Sequence, residues 1–326
     1  MNNRAFLSIS TVQILKVICA IVIVIHHTSY YLPNSIFTHI FRPIGYLPVG
    51  VFFFISGYGL LYSLFNNPDY LLTFFTKRIR SILIPALTGL TLYFISTKTT
   101  FSFNLFFHGA LPYSHYWYVV VIFLLYLLFY FIFRFINKKS KGVMIISSLL
   151  IIYVGIAGIL KIDSYWYNTI FAFPCGMLFS LYENYRGGEI LQKKLIFPIL
   201  LLFLISTSLK YGRANVDNYE NIWVLRCTNI PGVMNLITLI SSSSLPMLLY
   251  CLKLDIKKNI FIKILSSISY EMYLIHNLIV YIYVRYVGFT SIGEVLYIIL
   301  MVIPVAYILH KINKRLLEIN FLKYKF

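Results

Sequence analysis

The sequence predicts an all-α protein: a polytopic membrane helix bundle of about ten transmembrane helices, with both termini cytoplasmic. Three observations carry this prediction. Hydrophobic residues make up 60% of the 326 and charged residues only 12%, against about 45–50% and about 25% in an average globular chain. Apolar runs of about 20 residues, the span of a bilayer core, recur along the whole length. Lys and Arg fall mostly on one side once those runs are threaded through a membrane. Helices are the expected spanning structure, because lipid offers no partner to open backbone groups and the alternation of barrel strands is absent.

The first span, 12–31, lacks a small-residue cleavage site and carries Lys16, so it is expected to stay as a helix and not be removed as a signal peptide. The second, 46–65, holds the Gly50-Val51-Phe52-Phe53-Phe54-Ile55-Ser56-Gly57-Tyr58-Gly59 run. The third, 79–97, follows the basic Lys77-Arg78-Ile79-Arg80. The fourth, 116–136, opens on His115-Tyr116-Trp117-Tyr118, which reads as an interfacial aromatic belt. The fifth (142–160) and sixth (165–183) are plain apolar runs, the seventh (194–209) is short, and the eighth (231–252) is interrupted by Ser241 to Ser244 and Pro246. The ninth, 262–284, carries Glu271 and His276. The tenth, 292–310, leads into a short basic amphipathic tail, most simply a membrane-surface anchor.

Threaded this way, 20 of the 28 Lys and Arg residues lie on the cytoplasmic side. Arg42, Lys98, Lys161, Lys210, Arg213, Arg226 and Arg285 lie on the other, and Lys16 sits within the first span. The net charge of +18 is therefore mostly topology and contact with anionic membrane lipids, not a nucleic-acid surface. Cys19, Cys175 and Cys251 lie in apolar runs, Cys227 stands alone in an outer loop, and no CxxC or metal-ligand spacing occurs. Neither a disulfide nor a metal site is expected. Nothing divides the chain, so residues 1–326 are expected to form a single membrane domain with no soluble catalytic domain. Two connections are long, 98–115 and 210–230, both on the outer side. The second mixes charge, Asn, Tyr and Trp223, and reads either as a grip for an acceptor or as an uninvolved solvated loop.

Ionisable groups inside a bilayer are costly and point to function. Lys16 and His27 are eleven residues apart, which leaves them about 20° apart on one helix face and roughly 16 Å apart along the axis. His26 points about 100° away. His27 is placed to act as a general base, and equally to be a buried imidazole tied to a backbone carbonyl. Lys16 alone reads as a lysine snorkelling to the headgroups; its alignment with His27 reopens a functional reading. The glycines around Ser56 read as helix-packing positions, and Ser56 as a nucleophile lacks a visible acidic partner. Lys77, Arg78 and Arg80 suit either the phosphates of a cytosolic donor or the positive-inside rule. Glu271 and His276 lie about 140° apart on their helix, so Glu271 is expected to meet a cation on another helix.

Together these segments resemble the acyltransferase-3 family of bacterial integral-membrane O-acyltransferases. Lys16 and His27 fall where that family has an arginine, ten residues, then a histidine. Gly50-Val51, Phe53-Phe54 and Ser56-Gly57 match its next signature. Arg78 to Pro85, Trp117, and Phe173 to Met177 follow in order, and Ser269, Tyr270, Tyr273, Leu274 and His276 match its closing motif. The match runs over nearly the whole chain. Two positions depart: Lys16 replaces the arginine and loses its bidentate grip, and the family's second basic residue falls on Ser81, with Arg80 one place early. The resemblance implies transfer of an acyl group, most often acetyl, from cytosolic acyl-CoA (acetyl-CoA) to a sugar hydroxyl of an envelope glycan or lipid-linked sugar, by a multi-pass protein of the bacterial plasma membrane. It implies His27 as the base, Lys16 with Lys77, Arg78 and Arg80 on the donor, and His276 and Glu271 orienting the acceptor or His27. The rival is a transporter or flippase of a glycan or lipid-linked intermediate, against which stands the lack of an internal repeat with broken helices in matched positions. A catalytically inactive membrane partner is the third reading.

Overall fold

The computed structural model describes residues 8–100, 102–103, 106, 114–186, 196–216, 219–227, 230, 232–251 and 259–318. Among these there is no strand. The helices are α1 (Ile9–Ser29), α2 (Ile36–Phe41), α3 (Tyr46–Asn66), α4 (Phe74–Arg78), α5 (Ile84–Thr97), α6 (Trp117–Phe135) and α7 (Lys139–Ile159). They continue as α8 (Ala172–Arg186), α9 (Ile196–Asn215), α10 (Trp223–Arg226), α11 (Val233–Cys251), α12 (Ile260–Ser267), α13 (Ser269–Tyr286) and α14 (Gly293–Glu318).

Seven helical runs among the described residues are long and apolar enough to cross a membrane: α1, Ile36–Asn66, Phe74–Thr97, α6, α7, α9 and α14. The chain is a multi-pass membrane protein of helices. The other three expected spans also fold as helices, but each has a reason to fall short. The run at 165–183 begins as a 3₁₀ turn at Ser164–Trp166, and α8 starts only at Ala172, giving 15 residues. The run at 231–252 folds as α11 but is apolar only over Val233–Leu248, and its serines satisfy their hydroxyls within the helix: Ser241 Oγ donates to the Ile237 carbonyl (3.0 Å) and Ser244 Oγ to that of Ser241 (3.0 Å). The run at 262–284 is broken at Ile268 into α12 and α13. Beyond His310 the helix α14 continues through Glu318, and residues 319–326 of the basic tail lie outside the described residues.

Local chemistry sets the ends that matter for the site. Ser8 caps α1, its Oγ accepting from the Thr11 N–H (3.1 Å). At the other end Arg42 folds back on the α1 terminus. Its Nε donates to the Ser29 carbonyl (3.0 Å), and its two terminal nitrogens to the Leu32 carbonyl (2.8 Å) and Asn34 Oδ1 (2.7 Å), satisfying groups a helix end leaves open. Between α4 and α5 the helix widens into a π turn at Ile79–Leu83. Pro85, at the second position of α5, has no N–H and its ring crowds the carbonyl four residues back, so the ladder slackens just before it.

α3 is the central helix, and its closest partner is α8. The contact is reciprocal: a Cβ on Gly57 would strike the Phe173 carbonyl, and one on Gly176 would strike that of Phe54. Two backbones approach where neither has a side chain. Gly50 faces Ser242 in the same way, whereas Gly59 faces open space and is not a packing position. We expect Gly57→Ala to destabilise the protein by about 1–3 kcal/mol through overpacking, and Gly59→Ala to leave stability unchanged. Thermal unfolding in detergent checks this; equal midpoints for the two variants would contradict the reciprocal contact.

Candidate active site

α1, α13 and the turn before α6 bring three imidazoles together. The His27 ring centroid lies 4.7 Å from that of His276 and 6.5 Å from that of His115, and His115 lies 4.9 Å from His276. His27 and His276 are 249 residues apart in sequence, and packing of α1 against α13 joins them. His115 enters from Ser114–Tyr116, the 3₁₀ turn that precedes α6.

Backbone carbonyls fix two of the three tautomers, since a carbonyl only accepts. His276 Nδ1–H donates to the Tyr273 carbonyl (2.6 Å), leaving Nε2 as the basic nitrogen; that atom is buried with no partner among the described residues. His115 Nε2–H donates to the Leu274 carbonyl (3.0 Å), so its Nδ1 is the acceptor, facing the Asn277 amide at 3.4 Å. The Tyr273 hydroxyl donates to the His115 backbone carbonyl, locking the turn onto α13. His27 itself has no hydrogen bond to any described residue. It is the one ring of the cluster held by packing alone, on the wall of a cavity of about 860 Å³.

His26 is placed differently. Its Nδ1–H donates to the Phe41 carbonyl (3.1 Å), and its ring fills the space above Gly45, where a Cβ would overlap it. It is the histidine tied to a carbonyl, and it props the α2–α3 connection.

Eleven residues back along α1, Lys16 is half-buried and its charged neighbour is Arg78. The Arg78 guanidinium donates to the Tyr70 hydroxyl (2.5 Å) and lies over the rings of Tyr126 (4.9 Å) and Phe74 (5.5 Å). Its Nε is buried and has no partner among the described residues. Two cations thus lie near each other with no carboxylate paired to them among the described residues, in an aromatic setting, which is the make-up of an anion site. Lys77 and Arg80 are exposed and do not join them; Lys77 lies over the outside of Tyr70 (5.7 Å). Ser81 is also exposed. Of the three basic residues at this helix start, the structure brings Arg78 alone to Lys16.

Glu271 stands apart from the imidazole cluster. Its Oε1 meets His310 Nδ1 (2.9 Å) and the Asn313 amide (3.4 Å), and Asn313 Oδ1 accepts from the Thr88 hydroxyl (2.7 Å). The partner on another helix is the imidazole of His310 of α14, where a cation is expected from sequence. This chain ties α5, α13 and α14 together and gives Glu271 a bracing position, not one beside His27. Among the described residues no three His, Cys, Asp or Glu side chains are arranged to hold a metal ion.

Sequence reading missed His115. In sequence it belongs with Tyr116, Trp117 and Tyr118 to an aromatic belt, yet it is buried and bonded into the cluster. The available signal was an imidazole within a run of rings otherwise suited to an interface.

A family model for an acyltransferase domain matches residues 9–311, nearly the whole chain. No curated protein and no solved structure matches it.

Proposed function

Because this chain belongs to the acyltransferase-3 family, we propose that it is an O-acetyltransferase of the bacterial plasma membrane, moving an acetyl group from cytosolic acetyl-CoA to a hydroxyl of an envelope glycan or lipid-linked sugar. The observation that carries this reading is His27: an imidazole without a hydrogen bond to any described residue, on the wall of a large cavity, backed by two imidazoles whose tautomers are fixed. The Lys16–Arg78 pair faces the cytoplasm and takes anionic CoA. The cavity opens outward and takes the acceptor.

In the reaction, His27 accepts the proton of the acceptor hydroxyl as its oxygen attacks the thioester carbonyl. The new C–O bond forms, the C–S bond breaks, and the proton passes from His27 to the departing thiolate, giving CoA thiol and the ester. His276 and His115 position the His27 ring. A base of this kind contributes about 10²–10⁴-fold, and alignment of the two substrates supplies the rest.

The test is mass spectrometry of envelope glycans from deletion and complemented cells. Loss of O-acetyl groups at normal polymer yield supports the transferase. Loss of the polymer itself favours a transporter of the glycan or its lipid-linked precursor, and unchanged acetylation with unchanged polymer leaves the inactive-partner reading.

A further inference from the structure

The cavity carries information about its occupant that the acyl-transfer chemistry does not require. Its walls are aromatic, with Tyr30, Tyr31, Tyr46, Trp117, Tyr165 and Tyr281 among them. Its volume of about 860 Å³ lies in the range that encloses a small ligand. Flat rings and a scatter of hydroxyl and amide groups suit sugar faces. The charged groups are the unexpected part. Two cations line the cavity, Arg42 and Lys210, and no Asp or Glu does among the described residues. Asp163 comes near Tyr165 but is not part of the wall.

Among the described residues no carboxylate pairs with either cation. Arg42 donates to two backbone carbonyls and one amide oxygen, so its position is fixed while no described carboxylate offsets its charge. Lys210 Nζ lies 4.6 Å from the centre of the Tyr46 ring, and its charged neighbour is a further cation, Arg213. The positive-inside pattern does not ask for either residue here, because both belong to the seven assigned to the outer side. A second observation points the same way. Thr169 Oγ1 is buried on the cavity wall, the residue only 2% exposed, and has no hydrogen-bond partner among the described residues. A buried hydroxyl left open costs free energy unless a ligand completes it.

We propose that the acceptor is an anionic glycan, a saccharide carrying phosphate or carboxylate groups, and that Lys210 is the residue that reads its charge. This rests on the outward cavity being the acceptor site. Arg42 sets the field of the rim, while Lys210, whose ammonium meets only a ring face among the described residues, makes the direct contact with the anion. Thr169 and Asn168 bond sugar hydroxyls beside it.

The test measures binding by the purified full-length protein in neutral-lipid nanodiscs, without acetyl-CoA. The probes are maltotriose, maltotriose carrying one phosphate, trigalacturonate, inorganic phosphate and lysophosphatidylglycerol. At least one charged saccharide should bind about tenfold or more tighter than maltotriose, the scale of one charge-assisted hydrogen bond. Which one it is separates phosphate from carboxylate. Lys210→Met should erase that preference while leaving maltotriose unchanged, and Lys210→Arg should keep it, with circular dichroism confirming that both variants fold. Equal binding of charged and neutral saccharides, no binding of the charged ones, or a preference that survives Lys210→Met overturns the inference. So does Lys210-dependent binding of the lysolipid in place of the saccharides. Adding acetyl-CoA separates the two readings. Charge preference without any transfer keeps the anion subsite and sinks the transferase, whereas transfer to neutral maltotriose with no charge preference does the reverse.

Discussion

His27→Ala removes acceptor acylation by about 10²–10⁴-fold, the range for loss of a general base, with membrane insertion and helix content intact. The expectation comes from geometry more than from burial. His276 and His115 spend one nitrogen each on a backbone carbonyl, and His26 spends one on Phe41. His27 is the ring of this group with neither nitrogen committed to a described residue, and it reaches the cavity wall. The paired control is His26→Ala, which should keep most of its activity and show a lower unfolding temperature, because the ring supports Gly45 and the α2–α3 connection. Ester formation from acetyl-CoA by the purified variants decides it. Normal turnover in His27→Ala sinks the mechanism, and an equal loss in both variants shows that the effect is structural.

Lys16→Met raises KM for acetyl-CoA by about 10- to 100-fold, the worth of one charge-assisted contact of about 1.5–3 kcal/mol, and leaves kcat within a few-fold. A second readout carries a sign that a purely structural lysine would not produce. Lys16 has another cation, Arg78, as its charged neighbour. With no donor bound that repulsion is uncompensated, so Lys16→Met should unfold at a higher temperature than the parent. Adding CoA should stabilise the parent more than the variant, since only the parent gains the full ion contact. Lys16→Arg should retain donor binding and strengthen it where two parallel N–H donors can reach one phosphate. A variant with unchanged KM, or one destabilised with and without CoA alike, would assign Lys16 to headgroup contact instead.

The elements that sequence located well were those decided by local composition. Long apolar runs fold as helices because lipid leaves backbone groups no other partner, and α1, α6 and α7 follow the expected spans closely. Where a span depended on neighbours, its limits moved. The Ser266–Ser269 region splits one run at Ile268, and α8 waits until Ala172 because Tyr165 and Trp166 pack as a 3₁₀ turn against Trp117. The site divides in the same way. The alignment of Lys16 with His27 is a property of one helix and was legible from spacing alone. The meeting of His27 with His276, and the choice of Arg78 over Lys77 and Arg80, are tertiary facts. Across the π turn at Ile79–Leu83 positions no longer follow about 100° per residue, so spacing alone does not place Arg80 relative to the rest of its helix. His115 was hidden by its company, because a histidine between a loop and three rings has the composition of a membrane interface.

One helix face carries both a cation near one end of α1 and an imidazole near the other, roughly 16 Å apart at 1.5 Å per residue. In the proposed reaction this separation sets the electrical work of the step. A nucleotide carries several negative charges, each costly to move into hydrocarbon, and here they stay at Lys16 and Arg78. Only an uncharged thioester arm threads toward His27, and what leaves on the far side is a neutral ester group. Under the proposed reaction the helix would let acetyl cross a permeability barrier while the charge of its carrier does not, with no separate export of an activated acyl donor.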